Sequence, residues 1–206
     1  TVLANDRTLS TYIAQTGAYY HLRGRETIVD TRRRREAIAQ EIWPSALRYG
    51  RIIAAMPFTR MVTLTGSLAM NNTDEEADFD YLIVAKNGRV WLCRAFAVAI
   101  VHLASLRGHH VCPNYILAER AIAFSDQNLY AAHEIVQMIP LSGMTMYQKL
   151  RQANRWTDGY LPNALQPPRD LTNDSGGWLQ LRRLLELPLR SRIGRWLENW
   201  EMRRKI

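Results

Sequence analysis

The chain of 206 residues is 47% hydrophobic and carries a formal net charge of +8 at pH 7. This apolar fraction is sufficient for a packed core, which excludes a chain too polar to fold. The longest apolar stretch, residues 91–106, contains Arg94 and His102 and is too short to cross a bilayer, which excludes a transmembrane segment there. The polar residues Asn5 to Arg7 do not fit a signal peptide, so a cytoplasmic protein is expected.

The first 57 residues are predicted to form a helical region that packs on the core. A short helix is expected over residues 9–16. Asp30 and Thr31 can cap a longer helix that continues to about residue 47. A second helix is expected over residues 45–56, because the next residue is a proline.

Residues 58–140 are predicted to form an α/β core. Apolar runs and turn residues predict strands over 60–65 and 78–85, a helix over 90–106, a strand over 109–117, a short strand over 121–124 and a helix over 129–138. This alternation favours a small mixed β-sheet flanked by helices, with helical additions at the N- and C-terminal ends. Cys93 and Cys112 lie in apolar surroundings without a metal-type spacing, so we expect free thiols.

Residues 141–206 are predicted to form a helical, basic region. A helix is expected over 144–156, a linker over 161–177, and an amphipathic helix or helix pair over 178–206 with a break around Pro188. From residue 151 onward there are 11 basic and 6 acidic residues. The apolar stripe favours packing on the core or on a second copy in a homo-oligomer, and docking to a membrane surface or nucleic acid is the alternative. The positive charge also favours an RNA or protein acceptor as partner.

The segment from residue 63 to residue 84 contains the main functional pattern. Gly66 and Ser67 follow an apolar run, where a strand would turn into a helix whose free backbone N–H groups can hold a phosphate. Asp78 and Asp80 stand one residue apart at the head of the next apolar run, so on a strand they point to the same face. Two adjacent carboxylates repel each other and favour a hard cation such as Mg²⁺, which keeps room for phosphate oxygens. The pattern predicts a metal-dependent nucleotide site.

This order of residues resembles the DNA polymerase beta-like nucleotidyltransferase superfamily. Its pattern is a glycine followed by glycine or serine, a helix, and an acidic pair on the next strand. The resemblance covers residues 58–118. It implies the nucleotidyltransferase fold and the magnesium-dependent transfer of a nucleoside monophosphate from a nucleoside triphosphate (NTP) to an acceptor, which is a small molecule, a protein hydroxyl or an RNA end.

The resemblance also implies a role for each residue of the pattern. Asp78 and Asp80 would bind two Mg²⁺ ions that bridge the triphosphate and stabilise charge on the attacking and leaving oxygens. Ser67 and the amides after Gly66 would hold the terminal phosphates. Enzymes of this kind act mainly by positioning and charge neutralisation.

Active members usually add a third carboxylate from a neighbouring strand, whereas the strand predicted over 109–117 contains no acid. Asn114 is its expected occupant of that position, and Glu119, just beyond the strand, is the alternative. An amide oxygen can bind Mg²⁺ but cannot act as a base near neutral pH. A pseudoenzyme that binds nucleotide or RNA as a regulatory subunit is therefore the competing interpretation. Arg89 and Arg94, at the start of the following helix, are further candidates for binding the nucleotide phosphates.

Overall fold

The computed structural model describes residues 6, 8–172 and 177–205, with the backbone alone at 178 and 179. The elements follow in this order: α1 Leu9–Tyr12, β1 Ile13–Thr16, β2 Tyr19–Leu22, α2 Thr27–Ala54, β3 Thr59–Leu64, α3 Gly66–Ala69, β4 Phe79–Ala85, α4 Val90–Ser105, β5 Val111–Ala118, α5 Leu129–Gln137, β6 Ile139–Ser142, α6 Met144–Ala153, α7 Thr157–Tyr160, α8 Gly177–Leu189 and α9 Arg192–Lys205. No helix among these described residues is long and apolar enough to cross a membrane.

The N-terminal prediction was wrong in two places. Only α1 is helical within residues 9–16, and the remainder forms β1, which pairs antiparallel with β2 around Gly17 in the left-handed region. The helix predicted to end near residue 47 and the helix predicted over residues 45–56 form one helix, because α2 continues through Pro44. Proline removes one helical hydrogen bond, but the buried side chains Trp43 and Ala46 on either side of it keep the helix packed on the core.

The main sheet has four strands in the order β5-β4-β3-β6. Strand β4 is parallel to β5, whereas β3 is antiparallel to both β4 and β6. Both edge strands contain a proline, Pro113 in β5 and Pro140 in β6, where a missing N–H is tolerated. The mixed sheet flanked by helices that the sequence predicts is therefore present.

Two short segments were assigned wrongly from the sequence. Residues 121–124 do not form a strand, and the side chain of Asn154 binds this segment instead, accepting from Phe124 N at 2.8 Å and donating to Ile122 O at 2.8 Å. Strand β6 was not predicted, because its four residues include Pro140 and directly follow a helix. Hydrogen bonding to β3 and complete burial hold it in the sheet.

Alternation along β4 divides the core into two layers. Phe79, Tyr81 and Ile83 face one side, where they pack in the cluster that includes residues of α2 and α4, and the Tyr81 hydroxyl donates to Ala46 O at 2.6 Å. Leu82 and Val84 face the other side and pack in the cluster that includes residues of α5 and α6. Residue 80 belongs to this second side, so the α5 layer is the one that can reach its carboxylate.

The two C-terminal helices are attached to the core through buried glutamates. Glu198 accepts hydrogen bonds from Trp91 N at 3.0 Å and Leu92 N at 2.9 Å, and so satisfies free N–H groups at the start of α4. Glu201 lies 3.6 Å from Arg94 in an ion pair. The predicted break around Pro188 is confirmed, since α8 ends at Leu189 and α9 begins at Arg192.

A third buried glutamate binds α8 to the junction between α2 and β3. Glu186 accepts from Arg60 Nη1 at 3.0 Å, from Arg190 Nη2 at 2.9 Å and from the N–H of Phe58 at 3.0 Å. Phe58 is buried and has a φ of 67°, which is rare for a side chain of this size. Burial disfavours the charged form of Glu186, but these hydrogen bonds outweigh it and lower its pKa to about 2.

We expect this attachment to weaken in acid. Because the pKa of Glu186 is depressed in the folded chain, its stabilisation is present above the ordinary value of 4.5 and is lost as the pH falls toward 2. Glu186→Gln should lower the free energy of unfolding at neutral pH by about 2 kcal/mol, after allowance for solvent screening. Urea unfolding at a series of pH values measures this difference, which should shrink below pH 4.5. The control variant Glu75→Gln, in an exposed loop, should unfold with the same free energy as the wild type. A loss of stability in Glu186→Gln that does not depend on pH would contradict the prediction.

Candidate functional site

The candidate site lies where β3 ends and β4 begins. Gly66, the first residue of α3, has a φ of +68°, so the chain turns sharply after β3. Thr65 N donates to Asp80 O at 2.9 Å and fixes this turn against the start of β4. The glycine and the second aspartate of the predicted pattern are therefore adjacent in space.

Two constraints require glycine at residue 66. Its positive φ disfavours any residue with a Cβ. In addition, a Cβ at Gly66 would overlap with Oδ2 of Asp80 and lie 3.1 Å from its Cγ. The backbone of α3 thus approaches the Asp80 carboxylate as closely as the chain allows.

The two aspartates interact electrostatically. Asp78 is exposed just before β4, and Asp80 is half-buried in the strand. Burial raises the pKa of Asp80, a hydrogen bond with Cys112 lowers it, and the charge of Asp78 raises it. Among the described residues, no basic side chain forms an ion pair with either carboxylate. The pair therefore concentrates negative charge that a bound cation would neutralise.

Ser67 and the loop after α3 are held in a defined position. The Ser67 hydroxyl donates to Thr73 Oγ1 at 3.1 Å. Helix α2 holds the following residues, since Trp43 Nε1 donates to Asn71 Oδ1 at 2.6 Å and Arg32 donates to the backbone carbonyl of Asn71. The loop between the glycine and the aspartates is thus attached to the core from the α2 side.

The neighbouring strand differs from the prediction at the position of the third ligand. Asp80 is in register with Cys112, and the next pair is Leu82 with Tyr115, so β5 contains an extra residue between these pairs. Asn114 lies in this irregular step with an exposed side chain. Cys112, rather than Asn114, is therefore the residue beside Asp80, because a bulge shifts the alternation that sequence spacing assumes. Burial and the Asp80 charge raise the pKa of the Cys112 thiol.

The structure does not bring Glu119 to the site. The backbone N–H of Glu119 donates to Ala85 O, at the opposite end of β4 from Asp80. Ala85 lies five positions along β4 from Asp80, or about 17 Å. The Glu119 carboxylate instead lies 3.6 Å from Arg60. Its distance along the sheet rules it out as a ligand of an ion at Asp80.

The two candidate arginines also lie away from the aspartates. Arg89 stands over the ring of Phe58 at 5.0 Å and donates to Gly194 O at 3.3 Å. Arg94 pairs with Glu201 of α9. Both follow the end of β4 that is remote from Asp80, and both contact the C-terminal helices. The structure therefore places both arginines in contacts with α9 and not beside the aspartates.

Sequence reasoning missed an acid from α5. Glu134 is half-buried, and its pKa is raised by burial and by the charge of Asp80, so the two carboxylates lie within electrostatic reach. With Tyr115, Phe124 and Tyr130 it lines a cleft of about 380 Å³. Tyr130 and Glu134 are four residues apart and share one helix face, which is a detectable signal, but only the packing of α5 brings this face within electrostatic reach of Asp80.

The acidic groups do not form a complete metal cage. Among the described residues, no group of three or more His, Cys, Asp or Glu side chains is arranged to hold a metal ion. Comparisons with protein-family models, curated proteins and solved structures gave no significant match. Function must therefore be argued from the site itself.

The chemistry available to the site follows from its parts. Asp78 and Asp80 offer carboxylate oxygens where β4 begins, the backbone at Gly66 lies against the Asp80 carboxylate, and Ser67 supplies a hydroxyl at the start of α3. An ion bound there would need further oxygen ligands from water or substrate, which Mg²⁺ normally retains. The arrangement suits an ion delivered together with phosphate oxygens.

Proposed function

We propose that the chain is a magnesium-dependent nucleotidyltransferase that moves a nucleoside monophosphate from an NTP to an acceptor. The observation that carries the proposal is the contact between the Gly66 backbone and the Asp80 carboxylate, with Asp78 beside it. This contact joins both halves of the predicted pattern into one site. The order β3, α3, β4, α4, β5 also agrees with the strand and helix order that the resemblance implies.

The side chains that the chain supplies at this site are suitable ligands for Mg²⁺. Asp78 and Asp80 give hard oxygen ligands and have no described cationic partner, whereas the Cys112 thiol is a poor ligand for this ion. When bound, Mg²⁺ would neutralise phosphate charge in the transfer. The chain itself would orient the triphosphate through the Ser67 hydroxyl and the backbone after Gly66. The carboxylates of Asp78 and Asp80 would hold the ion.

A pseudoenzyme that binds nucleotide without turnover is the second candidate. It is favoured by one observation, namely that Cys112 is the β5 residue paired with Asp80, where the resemblance implies a third carboxylate. A thiol whose pKa is raised is protonated near neutral pH and is a weak base for an acceptor hydroxyl. The two candidates differ in turnover, not in magnesium-nucleotide binding.

For the enzyme candidate, the role of Glu134 can be tested with a variant. In the active enzyme, Glu134 is the described acid near Asp80 that can accept the acceptor proton, and burial raises its pKa in the direction that suits a base. Glu134→Gln should lower the rate of transfer by roughly a hundredfold, the size of a general-base effect, while Mg²⁺-dependent NTP binding is unchanged. Single-turnover kinetics and titration calorimetry measure the two quantities separately. Glu75→Gln is the matched control. A transfer rate of Glu134→Gln equal to that of the wild type would exclude Glu134 from the chemistry.

Turnover itself is tested with each of the common NTPs labelled at the α-phosphate. The full chain is incubated with Mg²⁺ and with RNA, protein or small-molecule hydroxyl acceptors, and both pyrophosphate and labelled acceptor are measured. The enzyme predicts that both products appear together and depend on Mg²⁺. Magnesium-dependent binding without either product supports the pseudoenzyme.

A further inference from the structure

The carboxylates of the last two helices all point inward. Between residues 177 and 205 the only acids are Glu186, Glu198 and Glu201, and each is buried against the core. Their partners are backbone N–H groups and arginines, as described above. The solvent-facing side of α8 and α9 therefore has no exposed acid among the described residues.

The same two helices expose many cations. Seven basic side chains between residues 183 and 205 are exposed, including Arg183, Arg190, Arg192 and Arg195. Arg190 and Arg204 pair with the buried Glu186 and Glu201, whereas no ion pair is described for Arg183, Arg192, Arg195, Arg203 or Lys205. The unpaired charge that α8 and α9 present to solvent is therefore positive. Such a surface attracts a polyanion or an anionic membrane.

Large apolar side chains stand among these cations. Leu184, Leu187, Ile193 and Trp196 are 59% to 67% exposed. Leu184 and Leu187 line a shallow depression of α8 together with Arg183 and Arg190. They are distinct from Leu181, Leu185 and Trp200, which border an apolar groove beside α2 and α4. We call Leu184, Leu187, Ile193, Trp196 and the arginines beside them the C-terminal surface.

We infer that the C-terminal surface binds the interface of an anionic lipid bilayer. Exposed leucine, isoleucine and tryptophan beside arginine fit the boundary between acyl chains and charged headgroups, where both kinds of side chain are satisfied. RNA would satisfy the arginines through phosphate contacts, but it offers no apolar environment to Leu184, Leu187 or Ile193, which cannot stack on bases. The inference is independent of the proposed transfer activity, because it uses none of the residues around Asp80.

The test is sedimentation of the full chain with phosphatidylcholine vesicles that contain or lack phosphatidylglycerol. We expect binding to depend on the anionic lipid. Ile193→Ser with Trp196→Ser should weaken vesicle partitioning at least tenfold, roughly the effect of removing two large apolar contacts. Arg192→Gln with Arg195→Gln should weaken it by roughly fivefold for each arginine removed.

A matched control replaces other exposed apolar residues. Leu103→Ser with Leu106→Ser, at the end of α4, should bind vesicles as the wild type does. Equal thermal unfolding of all variants shows that folding is unchanged. The inference is overturned if the serine variant at 193 and 196 partitions normally, if the chain prefers single-stranded RNA to vesicles in competition, or if light scattering shows a dimer that this variant dissociates.

Discussion

Asp80→Asn should lower the rate of Mg²⁺-dependent pyrophosphate release by roughly 10²–10³-fold, because loss of a metal ligand removes several kcal/mol of charge stabilisation. The amide retains the size of the carboxylate, so the packing against Gly66 and Cys112 is kept. The expected defect is therefore one of charge and not of folding. Steady-state rates at saturating NTP and Mg²⁺ measure it.

The matched control is Asp74→Asn, which removes an exposed loop carboxylate near the site in sequence. It should retain the wild-type rate. A similar loss in both variants would mean that general negative charge, rather than a ligand at Asp80, is responsible. An Asp80→Asn rate equal to wild type would remove Asp80 from the mechanism.

Gly66→Ala should abolish most activity through geometry rather than charge. The new Cβ would overlap with Oδ2 of Asp80, so either the carboxylate or the start of α3 must move. The positive φ adds about 1–2 kcal/mol of destabilisation. We expect roughly a hundredfold loss of transfer, since displacement of a catalytic group by about 1 Å has an effect of that size.

Gly88→Ala is the control that separates the effect of backbone strain from the effect of the contact with Asp80. Gly88 has the same φ of +68°, but a Cβ there would meet nothing within 4 Å. Both variants should lose the stability that the positive φ costs, Gly66→Ala should lose more because of the overlap with Asp80, and only Gly66→Ala should lose transfer activity. If the two variants retain equal activity, the contact with Asp80 does not position a functional carboxylate.

The sequence was sufficient to predict the turn between β3 and β4 and the strand that follows it, because the evidence for them is local. Gly66 suits a turn with positive φ, and Asp78 and Asp80 stand at the head of an apolar strand, so a short segment contains the information. The helices α4 and α5 and the strands β3 to β5 were predicted for the same reason, namely long apolar runs bounded by turn residues.

Other parts of the site depend on contacts that spacing does not encode. The bulge in β5 places Cys112 beside Asp80, and a single extra residue is enough to displace Asn114 from that position. Glu119 was near in sequence to the predicted strand but lies at its far end. Glu134 belongs to a helix more than fifty residues from Asp80, and its approach depends on how α5 packs on the sheet.

The contacts of the C-terminal helices could not be predicted from the sequence either. Their composition predicts an amphipathic, basic pair, yet Glu186, Glu198 and Glu201 could equally have been solvent-exposed partners of the arginines. Glu186 and Glu198 are buried where they accept from N–H groups at Phe58 and at the start of α4, and Glu201 is buried beside Arg94, which are tertiary features. Arg89 and Arg94 were predicted to bind phosphate; in the structure Arg89 donates to Gly194 O and Arg94 pairs with Glu201, contacts that also depend on the packing of α9.

The central claim is that Asp78 and Asp80 hold a magnesium-nucleotide complex against the Gly66 turn. Titration calorimetry of the full chain with a non-hydrolysable NTP, with and without Mg²⁺, tests it most directly, because binding does not require an acceptor. We predict binding that requires Mg²⁺ in the wild type and in Asp74→Asn, and no measurable binding in the double variant Asp78→Asn, Asp80→Asn. Equal affinity in wild type and the double variant, or binding indifferent to Mg²⁺, would contradict the account.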